Sequence, residues 1–411
     1  MAYISRPQHL EAGRCIMEKF IFTYSLTTPP IQGKRTVCGV VGSGNLEVIV
    51  EGNTTTTFEV ATSVGNFQAI WQSVIDDFVN EYHPAGLKFI LNDNGATPFT
   101  VSLRLRQAIE QFQTESHIGS NHVELDARKR IISVLDEHSF KEWLAEDYFY
   151  SPHLAALGLP CQADDGLVIG SGTVLGKTTL IAAQQKDFMG GAVGELHGAK
   201  LTGLFYRAIE LNVNAVVLLI DSGGVRLQEA NAGEIAISEI IRAVLLARQH
   251  GIVTVGIVCG KNGAYGGMGI ISTCLDYLIV NEVARIGVSG AEVIQTVKGV
   301  EAFDARDHAL VWRVYGGRTR YLQQVAAAYV HSDIISIRNS LQDILKRPRC
   351  SFIDRVRQDH ELLMQRLEQT QGYQEEGAYL AKDHPELVKT IFEMNSKEFL
   401  VAARQLLKNG D

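Results

Sequence analysis

Three glycine clusters hold the residues best suited to chemistry: Gly190-Gly191-Ala192-Val193-Gly194, Ser222-Gly223-Gly224-Val225-Arg226 and Gly263-Ala264-Tyr265-Gly266-Gly267-Met268-Gly269. Each stands before a stretch of helical period, and the second and third directly follow apolar runs. Backbone N–H groups at helix N-termini are therefore expected to point into one cleft. Paired glycines let a ligand atom come within hydrogen-bond reach of that backbone, because no side chain shields it. Such donors suit a negative oxygen. For a thioester that passes through an enolate or a tetrahedral adduct, each donor contributes on the order of 3 kcal/mol. A fourth feature is Ser43, a hydroxyl between Gly42 and Gly44 at a strand-to-strand turn; by itself such a turn is only a turn.

Other arrangements are missing from the sequence. The run Gly170-Ser171-Gly172-Thr173-Val174-Leu175-Gly176-Lys177-Thr178 has serine where a phosphate loop needs its first glycine, and it reads as a hairpin. There is no Ser-His-Asp arrangement, no His-Glu-x-x-His helix and no zinc ribbon, so no metal is expected. Tyr265 is either a proton donor or a packing residue.

The elements that position these residues fall into two unequal parts. In the first, strands are expected at Thr36–Val41, Leu46–Val50, Thr57–Thr62 and Lys88–Leu91, with helices over 67–82 and 101–112. A polar, unpatterned stretch at 113–122 reads as a linker, and residues 1–16 as an extension. The second part, 123–411, opens with a hairpin at 167–174 and 178–183. It then repeats a unit of buried strand, glycine loop and helix: Ala215–Asp221, Ile252–Val258 and Tyr277–Val280 are continuous apolar runs, as strands covered on both faces require. That repetition predicts an α/β core with its loops gathered at one edge.

Composition narrows the function classes. The chain has 411 residues, 46% of them hydrophobic, 38 Lys plus Arg and 46 Asp plus Glu, for a formal charge of −8. This length suits two or three domains with substantial cores. Without a basic block it carries no electrostatic footprint for nucleic acid or an anionic membrane. Six scattered cysteines offer no thiolate zinc pair and no disulfide framework, which fits a reducing cytoplasm. No apolar run reaches the roughly 20 residues a bilayer span needs. The 38 glycines against 9 prolines are bunched at few places, the pattern expected where backbone approaches a ligand or another backbone.

The stretch Val40-Val41-Gly42-Ser43-Gly44-Asn45-Leu46-Glu47-Val48, followed by Asn94-Gly95-Ala96-Thr97-Pro98 and Leu103-Arg104-Leu105, resembles the acyl-carrier (delta) subunit of biotin-independent malonate decarboxylase. The resemblance covers roughly 17–112. It implies a small α+β carrier domain in which Ser43 bears a phosphoribosyl-dephospho-CoA arm through a phosphodiester. The remainder resembles the beta subunit of the same enzyme, in the crotonase-like carboxyltransferase superfamily. The likeness is carried by Phe188-Met189-Gly190-Gly191-Ala192-Val193-Gly194-Glu195, Gly198-Ala199-Lys200, Ser222 to Ala230, Tyr265-Gly266-Gly267 and Phe303-Asp304-Ala305-Arg306-Asp307.

Taken together, the two resemblances imply a crotonase-like β-β-α superhelix domain fused behind a carrier. The implied reaction converts a malonyl thioester to an acetyl thioester and carbon dioxide, without biotin. The oxyanion donors are expected near Gly223, Gly224, Gly266 and Gly267, while Gly190, Gly191 and Lys200 are expected to hold the CoA-like arm. Implied partners are a gamma subunit, an alpha subunit that loads malonate onto the acetylated arm, and an enzyme that attaches the arm. Two other readings stay open: a carboxyltransferase subunit of an acyl-CoA carboxylase that works with a biotin carrier, and a non-catalytic carrier or scaffold.

Overall fold

The structure is a computed structural model of the chain. It describes residues 3–4, 17–33, 35–113, 121–369, 371–372 and 385–408, so all but residues 3–4 of the expected extension at 1–16 and most of the expected linker at 113–122 lie outside the described residues. The chain divides into two compact units. The first comprises residues 1–118, 145–166 and 187–189; the second comprises 119–144, 167–186 and 190–411.

The first unit is built on a six-stranded sheet of β1 (Tyr3–Ile4), β2 (Glu18–Tyr24), β3 (Thr36–Gly39), β4 (Asn45–Gly52), β5 (Thr56–Thr62) and β6 (Leu87–Asn94), in the order β1-β2-β5-β6-β4-β3. Only β5 and β6 run parallel, because α1 (Gln68–Tyr82) crosses between them. The inward residues Leu46, Val48, Val50, Phe58, Val60, Phe89 and Leu91 alternate along their strands. They pack against Trp71, Ile75 and Phe78 of α1 and Val101, Leu105 and Ile109 of α2 (Pro98–Gln113). Phe58 and Phe89 stack at 4.5 Å at the centre of this layer.

Period-2 alternation also sends Ile49 and Ile90 to the opposite face, where residues 145–166 cover them. Val37, Ile49 and Ile90 meet Tyr148 and Ala163, and Val40 and Val41 meet Leu154, Cys161 and Phe188. The short helix α4 (Pro152–Ala156) belongs to this covering segment. Its sequence carries no strong period, so its attachment to the sheet is invisible until the structure is seen.

In the second unit a seven-stranded sheet has the order β13-β12-β11-β10-β9-β8-β7. Its strands are β7 (Lys141–Trp143), β8 (Leu167–Val174), β9 (Lys177–Gln184), β10 (Ala215–Leu219), β11 (Val253–Val258), β12 (Tyr277–Val280) and β13 (Ala328–Tyr329). From β9 to β13 every pair is parallel, and β7 and β8 add an antiparallel edge. The expected hairpin is present. Leu175 and Gly176 both have positive φ, as a two-residue turn between twisted strands demands, and the Asp136 carboxylate accepts from the N–H groups of both.

One face of the sheet is covered by α5 (Glu195–Leu211), α6 (Asn231–Gln249) and α7 (Gly267–Cys274), through Leu204, Phe205, Ile240, Val244 and Ile271. The other is covered by α3 (Ala127–Val134) and the helix Ile334–Lys346, through Ile131, Ile337 and Leu341. Both faces are buried, which accounts for the unbroken apolar run of β10.

His122, at the entry to this unit, is buried, and among the described residues its Nδ1 has no hydrogen-bond partner. Burial, and then the positive charges of Arg130 and Lys186, pull its pKa down to about 3. The folded protein thus holds it neutral while the unfolded chain takes up a proton below about pH 6.5. Its contribution to stability is complete above pH 6.5 and is lost as pH falls from there toward 3. Thermal unfolding followed from pH 7 to pH 4 should show a shallower loss of stability in His122→Gln than in the native chain. The difference in slope should approach about 1.4 kcal/mol per pH unit, the value for one proton.

Candidate functional site

The loops at the C-terminal ends of the parallel strands continue the sheet as single bridges rather than leaving it. After β10, Ser222 pairs in parallel with Ala264 of the loop after β11, Ala264 pairs with Ile286, and Val225 pairs with Val193 of the first glycine cluster. The hydrogen bonds that do this consume many of the N–H groups in question. Gly223 N–H donates to the Gly190 carbonyl at 2.9 Å, Gly224 N–H to Ser222 Oγ at 3.1 Å, and Gly266 N–H to the Val288 carbonyl at 3.0 Å. The donors of these three glycines are therefore spent inside the protein.

Two neighbouring donors are not. Among the described residues, neither the Val225 N–H nor the Gly267 N–H meets a protein acceptor. Val225 uses its bridge through the flanking groups instead: Val193 N–H donates to the Gly224 carbonyl and Arg226 N–H to the Val193 carbonyl. Gly267 is the first residue of α7, where no earlier turn can supply an acceptor. The two lie on backbones in contact, since a Cβ placed on Gly266 would be 3.2 Å from Gly224 Cα and 3.9 Å from the Val225 nitrogen. Gly224 has φ +130° and Gly266 φ +56°, conformations that L side chains rarely adopt, and at Gly266 the close approach to Gly224 adds a second reason for glycine. The glycine pairs are legible in the sequence. That the N–H groups left without an acceptor are those of Val225, which follows one pair, and of Gly267, the second glycine of the other, is set by the bridges and by the start of α7.

The helix starts differ from expectation. The N-terminus of α5 is not open: the Glu229 carboxylate accepts from Glu195 N–H at 2.6 Å, fills the space beside Gly194, and pairs with Arg226 at 3.0 Å, both side chains fully buried. Arg226 Nε in turn donates to the Ala192 carbonyl. After the second cluster the chain makes a short 3-10 turn, Leu227–Glu229, and α6 starts only at Asn231. α7 begins inside a glycine cluster, and its first N–H, that of Gly267, meets no acceptor among the described residues.

The remaining expected site residues have structural duties. Gly191 (φ +69°) leaves room for the Asp221 carbonyl, 2.0 Å from where a Cβ would stand. The Gly190 carbonyl accepts from both Gly223 N–H and Asn262 Nδ2. Lys200 is buried in α5 with its ammonium donating to the Leu167 carbonyl, so its charge is directed into the fold. Tyr265 packs edge-on to Tyr315 at 5.7 Å, and burial raises its phenol pKa, with Arg285 opposing.

Beneath the loops lies a buried polar network that has no sequence signal. Asp221, with no exposure, pairs with Arg130 at 3.2 Å and accepts from Asn262 N–H at 2.6 Å. Asn262 Nδ2 donates to the carbonyls of Lys186 (2.8 Å) and Gly190 (3.1 Å). The Asn262 side chain thus ties its own loop to the one after β9, while its N–H ties it to the end of the β10 segment. Among the described residues no group of His, Cys, Asp and Glu is placed to hold a metal ion, and no helix is long and apolar enough to cross a membrane.

In the first unit Ser43 is exposed at the turn between β3 and β4. Asn45 N–H donates to the Gly42 carbonyl (3.0 Å) and Gly44 N–H to the Asn94 carbonyl (2.9 Å), which fixes the turn. Val41 N–H donates to Gln162 Oε1 at 3.0 Å, so the covering segment anchors the strand that leads into it. Gly44 has φ +70° and open space around it.

A serine offered on a fixed glycine turn, and a parallel α/β unit with paired backbone donors at its loop edge, define an acyl carrier joined to a carboxyltransferase-type enzyme of crotonase-like fold. Residues 33–112 match the family described as malonate decarboxylase delta subunit, and residues 122–312 match the carboxyl transferase domain. The chain is 30% identical over 308 residues to the malonyl-S-ACP:biotin-protein carboxyltransferase MADC of Malonomonas rubra, covering 69% of this chain and 96% of the relative. It is 46% identical over 102 residues to the malonate decarboxylase acyl carrier protein of Acinetobacter calcoaceticus, covering 24% of this chain and all of that one. A crystal structure of a Pseudomonas malonate decarboxylase hetero-tetramer in complex with malonate matches at 35% identity and a TM-score of 0.57, over 62% of this chain and 93% of that one. The chain belongs to the malonate decarboxylase family, with the acyl carrier and the carboxyltransferase domain in one polypeptide.

Asn262→Ala removes the cross-link between the loops without touching Val225 or Gly267. Turnover of malonate by the assembled enzyme should fall roughly tenfold with KM little changed, since an ångström of misplacement acts on the reacting geometry. Steady-state kinetics of the variant complex checks this.

Proposed function

We propose that this chain both carries the acyl group and decarboxylates it, converting a malonyl thioester to an acetyl thioester and carbon dioxide without biotin. The observation that carries the reading is the pair of donors without an acceptor among the described residues, Val225 N–H and Gly267 N–H, on backbones that meet at Gly224 and Gly266. When the bond to the departing carboxylate breaks, its electron pair moves onto the thioester oxygen, and a proton then restores the methyl group. Two fixed donors at that oxygen stabilise the charge where it develops, in a site that pays no reorganisation during reaction. Carrier function is assigned to 17–112, the linker to 113–122 and decarboxylation to 123–411.

Ser43 is the proposed attachment point for phosphoribosyl-dephospho-CoA, which would supply the thiol that holds the acyl group. Its exposure and the empty space beside Gly44 fit a bulky substituent on Oγ. Gly190 and Gly191 support this reading only as the framework of the loops, and the inward-facing Lys200 gives no support for an arm contact. The proposed partners are a gamma subunit, an alpha subunit that exchanges acetyl for malonyl on the arm, and an attachment enzyme, in a cytoplasmic complex.

A second reading, carboxyl transfer to a biotin protein, is favoured by the name of the Malonomonas relative. Carbon dioxide release from malonate by the complex, purified from its native host and treated with avidin, separates the two. Under the main reading avidin leaves the rate unchanged and the chain shows a mass adduct that Ser43→Ala lacks; under the second, avidin stops release. Gly224→Ala tests the scaffold reading. At φ +130° an alanine strains the loop, so assembly should persist while turnover drops by roughly the hundredfold expected for one lost oxyanion donor. Unchanged turnover would favour a scaffold.

A further inference from the structure

We propose that Arg104 is a binding residue for the phosphodiester of the arm, pairing with its anionic oxygens where the arm leaves Ser43. The inference rests on the reading of Ser43 as the attachment point. Arg104 stands on α2, and its Nε donates to Asn45 Oδ1 at 3.0 Å while Nη1 donates to Gln107 Oε1 at 2.7 Å. Asn45 is the residue whose own N–H closes the Ser43 turn onto Gly42. The guanidinium is thus tied to the foot of that turn, two residues from Ser43.

Its charge is unspent. Both acceptors are neutral amides, and among the described residues no carboxylate pairs with Arg104. The neighbouring arginines of the same unit differ: Arg35 lies beside Glu51 and Arg106 beside Glu110. Nη2 has no acceptor among the described residues, which leaves the outer edge of the planar fork available to an anion. The side chain is also given room. A Cβ on Gly39 would lie 3.2 Å from Arg104 Cδ and Nε, so glycine at that position lets the arginine run along the strand end to the turn. A phosphodiester on Ser43 Oγ carries one negative charge at neutral pH and is the anion that this arrangement fits.

The test uses the full chain, co-expressed with the attachment enzyme, as the native protein, Arg104→Lys and Arg104→Gln. Intact mass reports loading, thermal unfolding reports folding, and the phosphorus NMR resonance of the diester reports its surroundings. In the native chain the resonance should be displaced from that of the same arm on a Ser43 peptide released by proteolysis, and the displacement should shrink at high salt. Arg104→Gln should bring the resonance to the peptide position at an unchanged thermal midpoint, with Arg104→Lys between. A loaded, folded Arg104→Gln whose resonance and salt response equal the native ones overturns the proposal and leaves the Ser43 reading intact. If Arg104→Gln escapes loading, retained loading in Arg104→Lys supports the charge pairing, and equal loss in both overturns it. A native chain with no adduct removes the Ser43 reading, and this pairing with it.

Discussion

The carboxylate of Asp221 is the fixed point of the catalytic unit. It ends β10 with no exposure, held by Arg130 from α3 on one side and by Asn262 N–H on the other. A buried pair of this kind is weak evidence for net stability, since desolvation offsets most of the attraction, but removing one partner strands the other charge at a cost of about 3–5 kcal/mol. Its use is geometric. The loops after β10 and β11 cannot shift independently, because both are bound to the same carboxylate. The glycines around it follow from that: a Cβ on Gly260 would lie 2.1 Å from the Asp221 carboxylate, and one on Gly191 2.0 Å from its carbonyl.

This divides the glycine surplus into two kinds. Gly191, Gly194 and Gly260 are small because a buried acid or its backbone occupies the space a side chain would need. Gly224 and Gly266 stand where two backbones meet, in conformations that L side chains rarely adopt. Beside the second kind stand the N–H groups of Val225 and Gly267, which meet no acceptor among the described residues. Counting glycines cannot separate the two, since both arise from the same pattern of pairs after strands. What separates them is the list of which N–H groups are already bonded.

The architecture was largely legible in the sequence for a physical reason. Strands buried on both faces, such as Ala215–Leu219, must be apolar throughout, and the α1 and α2 faces must recur at 3.6 residues, so both patterns are written in residue type. Partnerships at long range were not. Arg130 and Asp221 are far apart in sequence, and nothing near Arg130 marks it as buried. Glu229 gives no hint that it caps a helix beginning at Glu195. Residues 145–166 read as part of the second half because their neighbours do, yet Tyr148 and Ala163 bury the reverse face of the carrier sheet. That face was itself readable: Ile49 and Ile90 alternate out of phase with the core set, and an apolar outer face must be covered by something.

The same covering segment explains how a serine can be both exposed and fixed. A hydroxyl meant for covalent attachment must stand clear of the surface, and an exposed turn normally frays. Here Gln162 holds Val41 just before the turn, the Asn94 carbonyl holds Gly44 after Ser43, and Asn45 N–H closes the turn onto Gly42. A Cβ on Gly42 would lie 3.2 Å from the Asp187 carbonyl oxygen, while one on Gly44 would have nothing within 4 Å. One flank of the serine is therefore packed and the other left open. The two glycines that look equivalent in the motif thus do opposite work, one accepting close packing and the other keeping space clear.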